Sequence, residues 1–484
     1  MFRSLGALSL VFAIACGPGG MDHPMPQPQP NPQPAESFAD RCKNAHDAGM
    51  DSFLYEWSTL GVGGDCDKLG AFLDQQTKLE FSYADKARAD LTGSRLRYRP
   101  WVLSNAVISA LSRLKALESL TVELQPSITD LSPLAELHTL TELRVLGTAA
   151  HDFSFVAPLD LLTLSIRSNG VASLQPLAGE TQLLQLILTD TGTPDLTVIG
   201  KLGALRTLIV TDNDVKTIEP LSTLSELTQL SFNGNQVTDL SPVSFLTNLT
   251  QLALRDNKVT SVAALRPLTK LTTLNLAGNQ ITDFAVVGGL LGLTTLTIDR
   301  NTPASFAPLA TLVNLRELGV IQTGLADLSL LRNNTKLETL YASDNPLGSL
   351  AVLAQFPSLR TLAVQRVQRA GAPLDTATLA TLVKLRSLAV SGNALADLSV
   401  VTNLIDLEAL IAGSNAITDL TPVAKLTKLT RLEVPNNQLT SLDPLARLSS
   451  LTTLVADGNA ITAAHCPVAP VAQSQPLIDF CANL

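Results

Sequence analysis

Aromatic and charged residues are scarce in this chain. Phe, Trp and Tyr make up 4% of its 484 residues, and Asp, Glu, Lys and Arg make up 16%. A core with so few aromatic rings must be filled by aliphatic side chains, and about 90 residues are leucine. This composition is unlike that of an ordinary enzyme core and indicates an interior built from one repeated aliphatic side chain.

The chain also lacks an excess of cations. Its 34 Lys and Arg residues stand against 43 Asp and Glu residues, which gives a net charge of -9. Such a balance provides no basic surface for phosphate groups. We therefore expect no nucleic-acid partner.

Motifs for catalysis and for metal or cofactor binding are missing as well. The patterns H-E-x-x-H, C-x-x-C, G-x-S-x-G and G-x-x-x-x-G-K do not occur. The five His residues are scattered along the chain (His23, His46, His138, His151 and His465). We expect no enzyme, no metal site and no cofactor.

No apolar run reaches the length of about 20 residues that a bilayer crossing requires. The first fifteen residues carry a charge at Arg3 and an apolar run from Leu5 to Ala15, followed by Cys16 and a Gly-Pro-Gly-Gly segment. This arrangement is typical of an export signal. Residues 13–15, Ala-Ile-Ala, suit ordinary secretion and also resemble a bacterial lipobox, so two kinds of signal peptidase could cut before Cys16.

The shortness of the signal favours the lipoprotein interpretation. Residues 1–15 are then the signal peptide, and Cys16 is the lipidation site that anchors the protein in a membrane. Ala13 departs from the lipobox, which favours Leu there, whereas Gly17 resembles the sorting pattern for the outer membrane. The prediction is an outer-membrane lipoprotein or cell-surface protein, and the alternative is a secreted or periplasmic protein.

Residues 16–37 are rich in Pro, Gly and Gln and have few large apolar side chains. Such a segment cannot build a core. Alternating prolines favour an extended polyproline II conformation of about 3.1 Å per residue, long enough to hold a domain roughly 50 Å from a membrane. We interpret this segment as a lipid-anchored tether, and a passive linker is the alternative.

Four cysteines remain, two near each end of the chain. Of the three connectivities that four cysteines allow, local pairing of Cys42 with Cys66 and of Cys466 with Cys481 is favoured, because about 400 residues separate the pairs. An oxidising compartment permits such disulfides. Each would add roughly 3 kcal/mol of stability at a chain end. His465 beside Cys466 is interpreted as a solvated neighbour and not as a metal ligand.

One phrase, typified by LRTLIVTDN and LTTLNLAGN, occurs sixteen times from Leu117 onwards. Twelve of the fifteen steps between copies are 22 residues long. With the first leucine of a copy as position 0, apolar residues recur at positions 0, 3 and 5, and the final alternation indicates a short strand. Prolines in the second half of many copies exclude a long helix there. The copies begin at Leu117, Leu140, Leu161, Leu183, Leu205, Leu227, Leu249, Leu271, Leu293, Leu315, Leu337, Leu359, Leu385, Leu407, Leu429 and Leu451.

In this pattern the chain resembles bacterial leucine-rich repeats of the 22-residue, internalin-like kind, over about 350 residues. The resemblance implies an α/β fold, a right-handed leucine-rich-repeat solenoid with a parallel β-sheet on the concave face and short 3-10 or helical turns on the convex face. A single copy cannot bury its own leucines and must stack on a neighbour. We assign residues 106–459 to one solenoid of about sixteen repeats, which replaces the three domains that length alone suggests.

Asn closes most strands at position 8. A buried carboxamide there can satisfy backbone N–H and C=O groups that have no strand partner, so we interpret these residues as a structural ladder and not as ligands. Thr148, Thr191 and Thr323 can do part of this work with a hydroxyl, but Val367 cannot. The ladder comprises Asn169, Asn213, Asn235, Asn257, Asn279, Asn301, Asn345, Asn393, Asn415, Asn437 and Asn459.

The two ends of a solenoid expose an apolar cross-section that must be covered. Residues 38–105 and 460–484 are predicted to be these caps, each with one cysteine pair. The first cap holds an amphipathic segment around Phe53, Leu54, Trp57 and Leu60, and degenerate strands near residues 79–83 and 96–98. Its aromatic residues are better explained as filling an irregular core than as stacking on a ligand.

Positions 2, 4, 6 and 7 of each copy point to the concave face, which is polar and nearly neutral. The copy that begins at Leu359 is the most irregular, because it lacks the ladder Asn and carries four extra residues. Loops of this kind often contact partners, and aromatic and Arg side chains favour binding. The candidate contact patch is Tyr341, Gln365, Arg366 and Arg369, and the alternative is a tolerated insertion with solvated arginines.

Together these features predict a monomeric, non-catalytic recognition module on the bacterial envelope, whose concave face docks a protein or a glycan. The resemblance to internalins implies adhesion or host contact, which is an analogy at the level of the fold. The alternative is a structural scaffold that faces the periplasm and holds an envelope partner.

Overall fold

The structure is a computed structural model that describes residues 37–45, 47, 50, 51, 53–55, 65–81, 95–98, 103–193, 195–367, 376–467 and 474–483. The predicted signal peptide, Cys16 and the predicted tether up to residue 36 lie outside these residues. Trp57, Leu60 and Arg369 also lie outside them.

Eighteen strands of the described residues form one open parallel sheet. Strands β3 to β18 are the sixteen copies, and each pairs with the next in chain order, which confirms the solenoid that the leucine pattern predicts. The strands are β1 (Lys78–Phe81), β2 (Arg95–Tyr98), β3 (Ser119–Glu123), β4 (Glu142–Leu146), β5 (Thr163–Arg167), β6 (Gln185–Thr189), β7 (Thr207–Thr211), β8 (Gln229–Ser231), β9 (Gln251–Ala253), β10 (Thr273–Asn275), β11 (Thr295–Thr297), β12 (Glu317–Gly319), β13 (Thr339–Tyr341), β14 (Thr361–Ala363), β15 (Ser387–Ala389), β16 (Ala409–Ile411), β17 (Arg431–Glu433) and β18 (Thr453–Val455).

The register of the sheet stacks identical positions on one another. Leu208 lies opposite Leu230, which lies opposite Leu252, and the same holds for position 3 of the other copies. These leucines are buried in every copy but the last. Removing such a side chain from water contributes about 1.5–3 kcal/mol, so the leucine rows supply the driving force that short strands of three to five residues lack.

Short 3-10 helices return the chain on the other side of the leucine rows. A Pro stands in the first turn of many of them, where its missing N–H leaves no bond unmade. An Asp just before the helix often accepts a backbone N–H. Asp239 accepts the hydroxyl of Ser241 at 2.7 Å and its N–H at 2.8 Å, and these two bonds lower the pKa of Asp239. The helices are Ser132–Glu136, Ser154–Val156, Gln175–Gly179, Ile199–Lys201, Glu219–Thr223, Ser241–Phe245, Ala263–Leu265, Ala285–Gly289, Ala307–Thr311, Ser329–Leu331, Ala351–Gln355, Ala377–Thr381, Ser399–Val401, Thr421–Val423, Asp443–Leu445 and Ala463–His465.

The Asn residues at position 8 join neighbouring copies through their carboxamides. Asn301 accepts the N–H of Ile281 at 3.0 Å and donates to the carbonyl of Leu276 at 2.9 Å. All eleven ladder residues both accept from and donate to backbone groups. A ladder residue normally accepts the N–H at position 10 of the preceding copy. Thr323 has no such bond to make, because the residue at that position is Pro303, which lacks an N–H.

The residue before the ladder, at position 7, has a positive φ in all sixteen copies. Gly, Asp, Asn and Ser occupy most of these positions, and they adopt this left-handed conformation more readily than other residues. Arg300 and Arg366 adopt it too, with φ of 54° and 50°. The bias of position 7 towards Gly and Asp is the signal of this conformation in the sequence.

At the amino-terminal end, the fully described elements that precede the first copy are three helices and two strands. The helices are α1 (Phe38–Asn44), α2 (Cys66–Leu73) and α3 (Asn105–Leu111). A disulfide joins Cys42 to Cys66, and Phe38, Phe53 and Phe81 are buried beside it. Strand β1 pairs with both β2 and β3, so β2 lies at the edge of the sheet and the strand order departs from the chain order.

Arg41 fixes α1 to the first copies. Its guanidinium donates to the carbonyl of Ser109 at 3.0 Å and to the hydroxyl of Ser112 at 3.1 Å, and it forms an ion pair with Glu136 at 3.0 Å. Arg113 also pairs with Glu136. The cap is therefore held by polar contacts as well as by its apolar core.

At the carboxyl-terminal end, helix α4 (Gln475–Ala482) lies against β18. A disulfide joins Cys466 to Cys481, and Leu477 is fully buried. Every described helix falls short of the length and hydrophobicity that crossing a membrane requires.

Candidate functional site

The side of the sheet that carries positions 2 and 4, here called the open face, presents side chains that no other described element covers. In β13, for example, Thr339 and Tyr341 are half-buried, whereas Leu340 between them is buried. Most residues of this face are Thr, Gln, Ser and Ala. A large or aromatic side chain on this face therefore stands out from its small and polar neighbours.

Tyr341 is the clearest departure. The register places Gly319 on one side of it and Ala363 on the other. Gly319 has no side chain and Ala363 has only a methyl group, so neither adjacent strand places a large side chain opposite Tyr341, an arrangement that suits an aromatic contact residue. Burial raises the pKa of the Tyr341 hydroxyl, and the Glu317 carboxylate adds to this, so the phenol is a neutral donor and acceptor at physiological pH.

One carboxylate, that of Glu317, lies near this ring, and a second, that of Asp299, lies beside Gly319. Glu317 stands at position 2 of the preceding copy, two residues before Gly319. Asp299 accepts the N–H of Ile321 at 2.7 Å, and its Oδ1 lies 3.0 Å from where a Cβ on Gly319 would be. Burial raises the pKa of Asp299, while the bond from Ile321 and the nearby arginines oppose that rise. The Thr297 methyl carbon Cγ2 would lie closer still to that Cβ, at 2.8 Å, so Gly319 is bordered by this methyl group as well as by the Asp299 carboxylate.

Of the other predicted contact residues, Gln365 shares this face with Tyr341. It follows two residues after Ala363, which is opposite Tyr341. Arg366 lies on the adjoining corner, and its guanidinium forms a two-pronged ion pair with Asp344 at 2.5 and 2.6 Å. The Arg366 side chain is 59% exposed, so its guanidinium is paired within the chain and still open to solvent. Arg369 lies outside the described residues.

Sequence reasoning missed the neighbours that give Tyr341 its setting. Gly319, Ala363, Glu317 and Asp299 belong to three different copies in the printed sequence. They come together because identical positions stack in neighbouring copies. Comparing position 4 from copy to copy would have revealed the two small residues beside the tyrosine.

A row of exposed aliphatic side chains forms a second surface, here called the apolar row. It lies two residues before the first leucine in five of the six copies that begin between Leu293 and Leu407, and Thr335 interrupts it in the sixth. The same position is Ser or Thr in several other copies. Leu291, Val313, Val383 and Ile405 are 58%, 44%, 53% and 61% exposed. Pro357 belongs to the same row, and a cavity of about 310 Å³ separates it from Val383.

The described residues offer no set of three His, Cys, Asp or Glu side chains that could hold a metal ion. The open face has hydrogen-bonding groups, carboxylates and one prominent ring. This arrangement suits the binding of another molecule by surface contact.

Comparison with known proteins gives the same fold. The family described as leucine-rich repeats in two copies matches residues 247–289. No curated protein matches the chain.

Three solved structures illustrate the likeness. An internalin from Listeria monocytogenes is 26% identical, with 60% of this chain and 86% of that chain covered and a TM-score of 0.54. A leucine-rich-repeat protein from Leptospira interrogans is 23% identical, with 75% and 89% covered and a TM-score of 0.55. The leucine-rich-repeat ectodomain of a membrane receptor kinase from Arabidopsis thaliana, solved in complex with Casparian strip integrity factor 2, is 18% identical, with 73% and 49% covered and a TM-score of 0.53. The repeats and the likeness to internalins support a bacterial leucine-rich-repeat protein.

Proposed function

We propose that this chain is an exported protein-binding module of the bacterial envelope, and that its partner docks on the open face around Tyr341. The observation that carries the proposal is the position of Tyr341 between Gly319 and Ala363 on an otherwise polar sheet. Aromatic rings are frequent anchors of protein interfaces, and a ring flanked by small residues can contact a partner without competition from large neighbouring side chains.

The chemistry around the ring favours a protein over a glycan as the partner. The Glu317 carboxylate, whose charge acts on the Tyr341 hydroxyl, and the Asp299 carboxylate beside Gly319 suit a Lys or Arg side chain of a partner protein. The receptor ectodomain named above binds a protein factor on a related fold, which is in keeping with this proposal. Catalysis has no role in it.

Export and membrane anchoring form a separate part of the proposal. Two disulfides suit an oxidising compartment. Cys16 is proposed to carry lipid, and residues 16–37 to hold the binding module away from the membrane. The alternative is a periplasm-facing scaffold with the same fold and the same open face.

Site-specific photo-crosslinking tests the open face. A photoreactive phenylalanine analogue replaces Tyr341 in one variant and Thr273 in a matched variant, because Thr273 lies on the same sheet three copies earlier. We expect a crosslinked partner at residue 341 and little or none at residue 273. Equal crosslinking at both, or crosslinking at Val383 of the apolar row in place of residue 341, would contradict the proposed interface.

Protease treatment of intact cells tests the location. Repeat peptides released from sealed cells, together with acyl chains on the Cys16 peptide in mass spectrometry, are expected for a surface lipoprotein. Repeats that are protected until the outer membrane is opened would favour the periplasmic scaffold, and a Cys16 peptide without lipid would refute the anchor.

A further inference from the structure

Strand β18 is the last strand of the sheet, and among the described residues it pairs with a neighbouring strand on one side only. Strand β18 pairs with β17 along its inner side, with Leu432 opposite Leu454. In each of the fifteen earlier copies the next copy covers the outer side. At β18 that place is taken in part by helix α4, which contacts the strand without pairing with it.

Backbone donors along this free side lack the partners that all earlier copies provide. The N–H at position 7 donates to the next copy in each of the fifteen earlier copies, as Asn436 does to Asp457 at 2.8 Å. The equivalent N–H of Gly458 has no acceptor within the described part of the chain. The same is true of Ala456, whose counterpart Val434 donates to Val455 at 2.8 Å.

The ladder bond is also missing at this end. The N–H at position 10 of the preceding copy, on Leu439, donates to the carboxamide oxygen of Asn459 at 3.0 Å. Its counterpart on Ile461 finds no acceptor among the described residues. Ala456, Gly458 and Ile461 therefore present a row of backbone donors with the spacing that another copy of the repeat would match.

An apolar surface lies beside these donors. Leu454 is half-buried, whereas the leucine at position 3 is buried in the other fifteen copies. Together with Ile461, Pro476 and Phe480 it lines a groove of about 610 Å³ between β18 and α4. Asp457 and Asp479 also line the groove, and no Lys or Arg is among its lining residues.

We propose that this groove, here called the terminal groove, binds an extended peptide segment of a partner protein that adds to the sheet as a further parallel strand. The free N–H groups specify a backbone, Leu454 and Ile461 specify an aliphatic side chain, and the two aspartates specify a Lys or Arg next to it. An Asn, Asp or Thr side chain of the peptide accepts the N–H of Ile461, as Asn459 accepts that of Leu439.

The charge of the terminal groove argues against a second copy of this chain as the occupant. A two-fold pairing of β18 strands would bring Asp457 and Asp479 of both copies to one interface with no lining cation from either copy. Like charges brought together in this way disfavour association. A basic, aliphatic peptide meets no such cost.

The test uses a fluorescently labelled peptide with the sequence of residues 249–259, LTQLALRDNKV, and the full chain. This peptide is a repeat strand with a ladder Asn and two cations. In the sheet, alternate N–H groups face the preceding copy, so the N–H of the residue that corresponds to Ala253 points into the terminal groove and that of Leu254 points away. N-methylation of one or the other is a matched pair of changes.

We expect saturable binding in fluorescence anisotropy that weakens about tenfold or more on methylation at the Ala253 position. Methylation at the Leu254 position should change the affinity less than about twofold. In the protein, Ala456→Pro removes one donor at an edge where proline is tolerated and should weaken binding about tenfold. Ile478→Ser, on the exposed side of α4, should leave it unchanged.

Three results would overturn the proposal. One is an equal effect of the two methylations, and another is no saturable binding at about 1 mM peptide. The third is a concentration-dependent dimer that Ala456→Pro abolishes, since the occupant would then be a second copy. If Ala456→Pro does not fold, as judged by its thermal unfolding, the methylated peptides decide the question alone.

Discussion

Arg300 reaches across an entire repeat to Asp256. Its Nη2 lies 2.7 Å from Oδ1 of the aspartate, although Gly278 occupies the same corner position in the copy between them. A Cβ on Gly278 would lie 2.1 Å from that oxygen and 3.1 Å from that nitrogen. The ion pair therefore depends on the absence of a side chain at residue 278.

This relationship predicts the effect of Gly278→Ala. The φ of Gly278 is +65°, which costs an alanine about 1 kcal/mol, and displacement of the Asp256–Arg300 pair adds up to about 1 kcal/mol. We expect a loss of about 1–2 kcal/mol in the free energy of unfolding, measured by denaturant titration.

Gly192→Ala is the matched control, because Gly192 has a φ of +68° and nothing near its missing Cβ. Gly192→Ala should lower the free energy of unfolding only by the cost of placing an alanine at a positive φ. Adding Asp256→Ala should reduce the effect of Gly278→Ala to that level. If Gly192→Ala and Gly278→Ala are equally destabilising, the ion pair does not need the gap.

Glu180 should make stability depend on pH. It occupies position 19, where most copies have a leucine, and it is 5% exposed. Burial raises its pKa from about 4.5 to about 7, although Leu161 donates its N–H to the carboxylate at 3.2 Å. The unfolded chain loses this proton first as pH rises, so the free energy of unfolding falls between about pH 4.5 and 7 and then levels off.

The Glu180→Leu variant should therefore gain more stability at pH 8 than at pH 4.5, with a difference of about 2–3 kcal/mol. Thermal or denaturant unfolding of both proteins at the two pH values measures this. Asn334→Leu is the control, because Asn334 is buried at the same position and does not titrate. A gain from Glu180→Leu that is the same at both pH values would show that the carboxyl does not ionise on unfolding as expected.

Val367 leaves a gap in the Asn ladder that one substitution should repair. The N–H of Leu347, which is 2% exposed, has no acceptor among the described residues, whereas its counterpart Leu325 donates to Asn345 at 3.0 Å. An unmade bond of this kind costs about 1–3 kcal/mol. We expect Val367→Asn to raise the thermal midpoint, corresponding to about 1 kcal/mol.

Val367→Ala is the reference for that change, since it removes the valine methyl groups without supplying an acceptor. The Asn variant should be more stable than the Ala variant by differential scanning calorimetry. The reverse order would mean that burying a carboxamide at residue 367 outweighs the bond to Leu347.

The sheet and its leucine rows could be predicted because they depend on a period that the chain repeats sixteen times. The places where the structure departs from this period could not be predicted. The exchange of β1 and β2 involves strands that carry little of the repeat pattern, so no neighbouring copy specifies their order. A repeated pattern predicts which strands lie side by side, whereas a segment that occurs once gives no such information.

The surroundings of the predicted contact patch could have been predicted in part by aligning the copies. Arg366 pairs with Asp344, which holds the same position one copy earlier. Aligning the copies would have placed these opposite charges side by side. The setting of Tyr341 could be found in the same way, whereas the half-exposure of Leu454 depends on how α4 docks and has no signal in the repeat.

The two disulfides should differ in their resistance to reduction. Cys42 and Cys66 are 2% and 8% exposed, whereas Cys466 and Cys481 are only half-buried. A thiolate must reach a sulfur atom to open a disulfide, so mild dithiothreitol should open Cys466–Cys481 first. Alkylation followed by mass spectrometry gives the order in which the two disulfides open.

Opening the Cys466–Cys481 disulfide should release α4 and speed amide hydrogen exchange near Ile461. Strands β3 to β7 should stay protected, because each copy is stabilised mainly by its neighbours. Earlier alkylation of Cys42 and Cys66 would mean that the amino-terminal cap opens more readily than its buried aromatic core indicates.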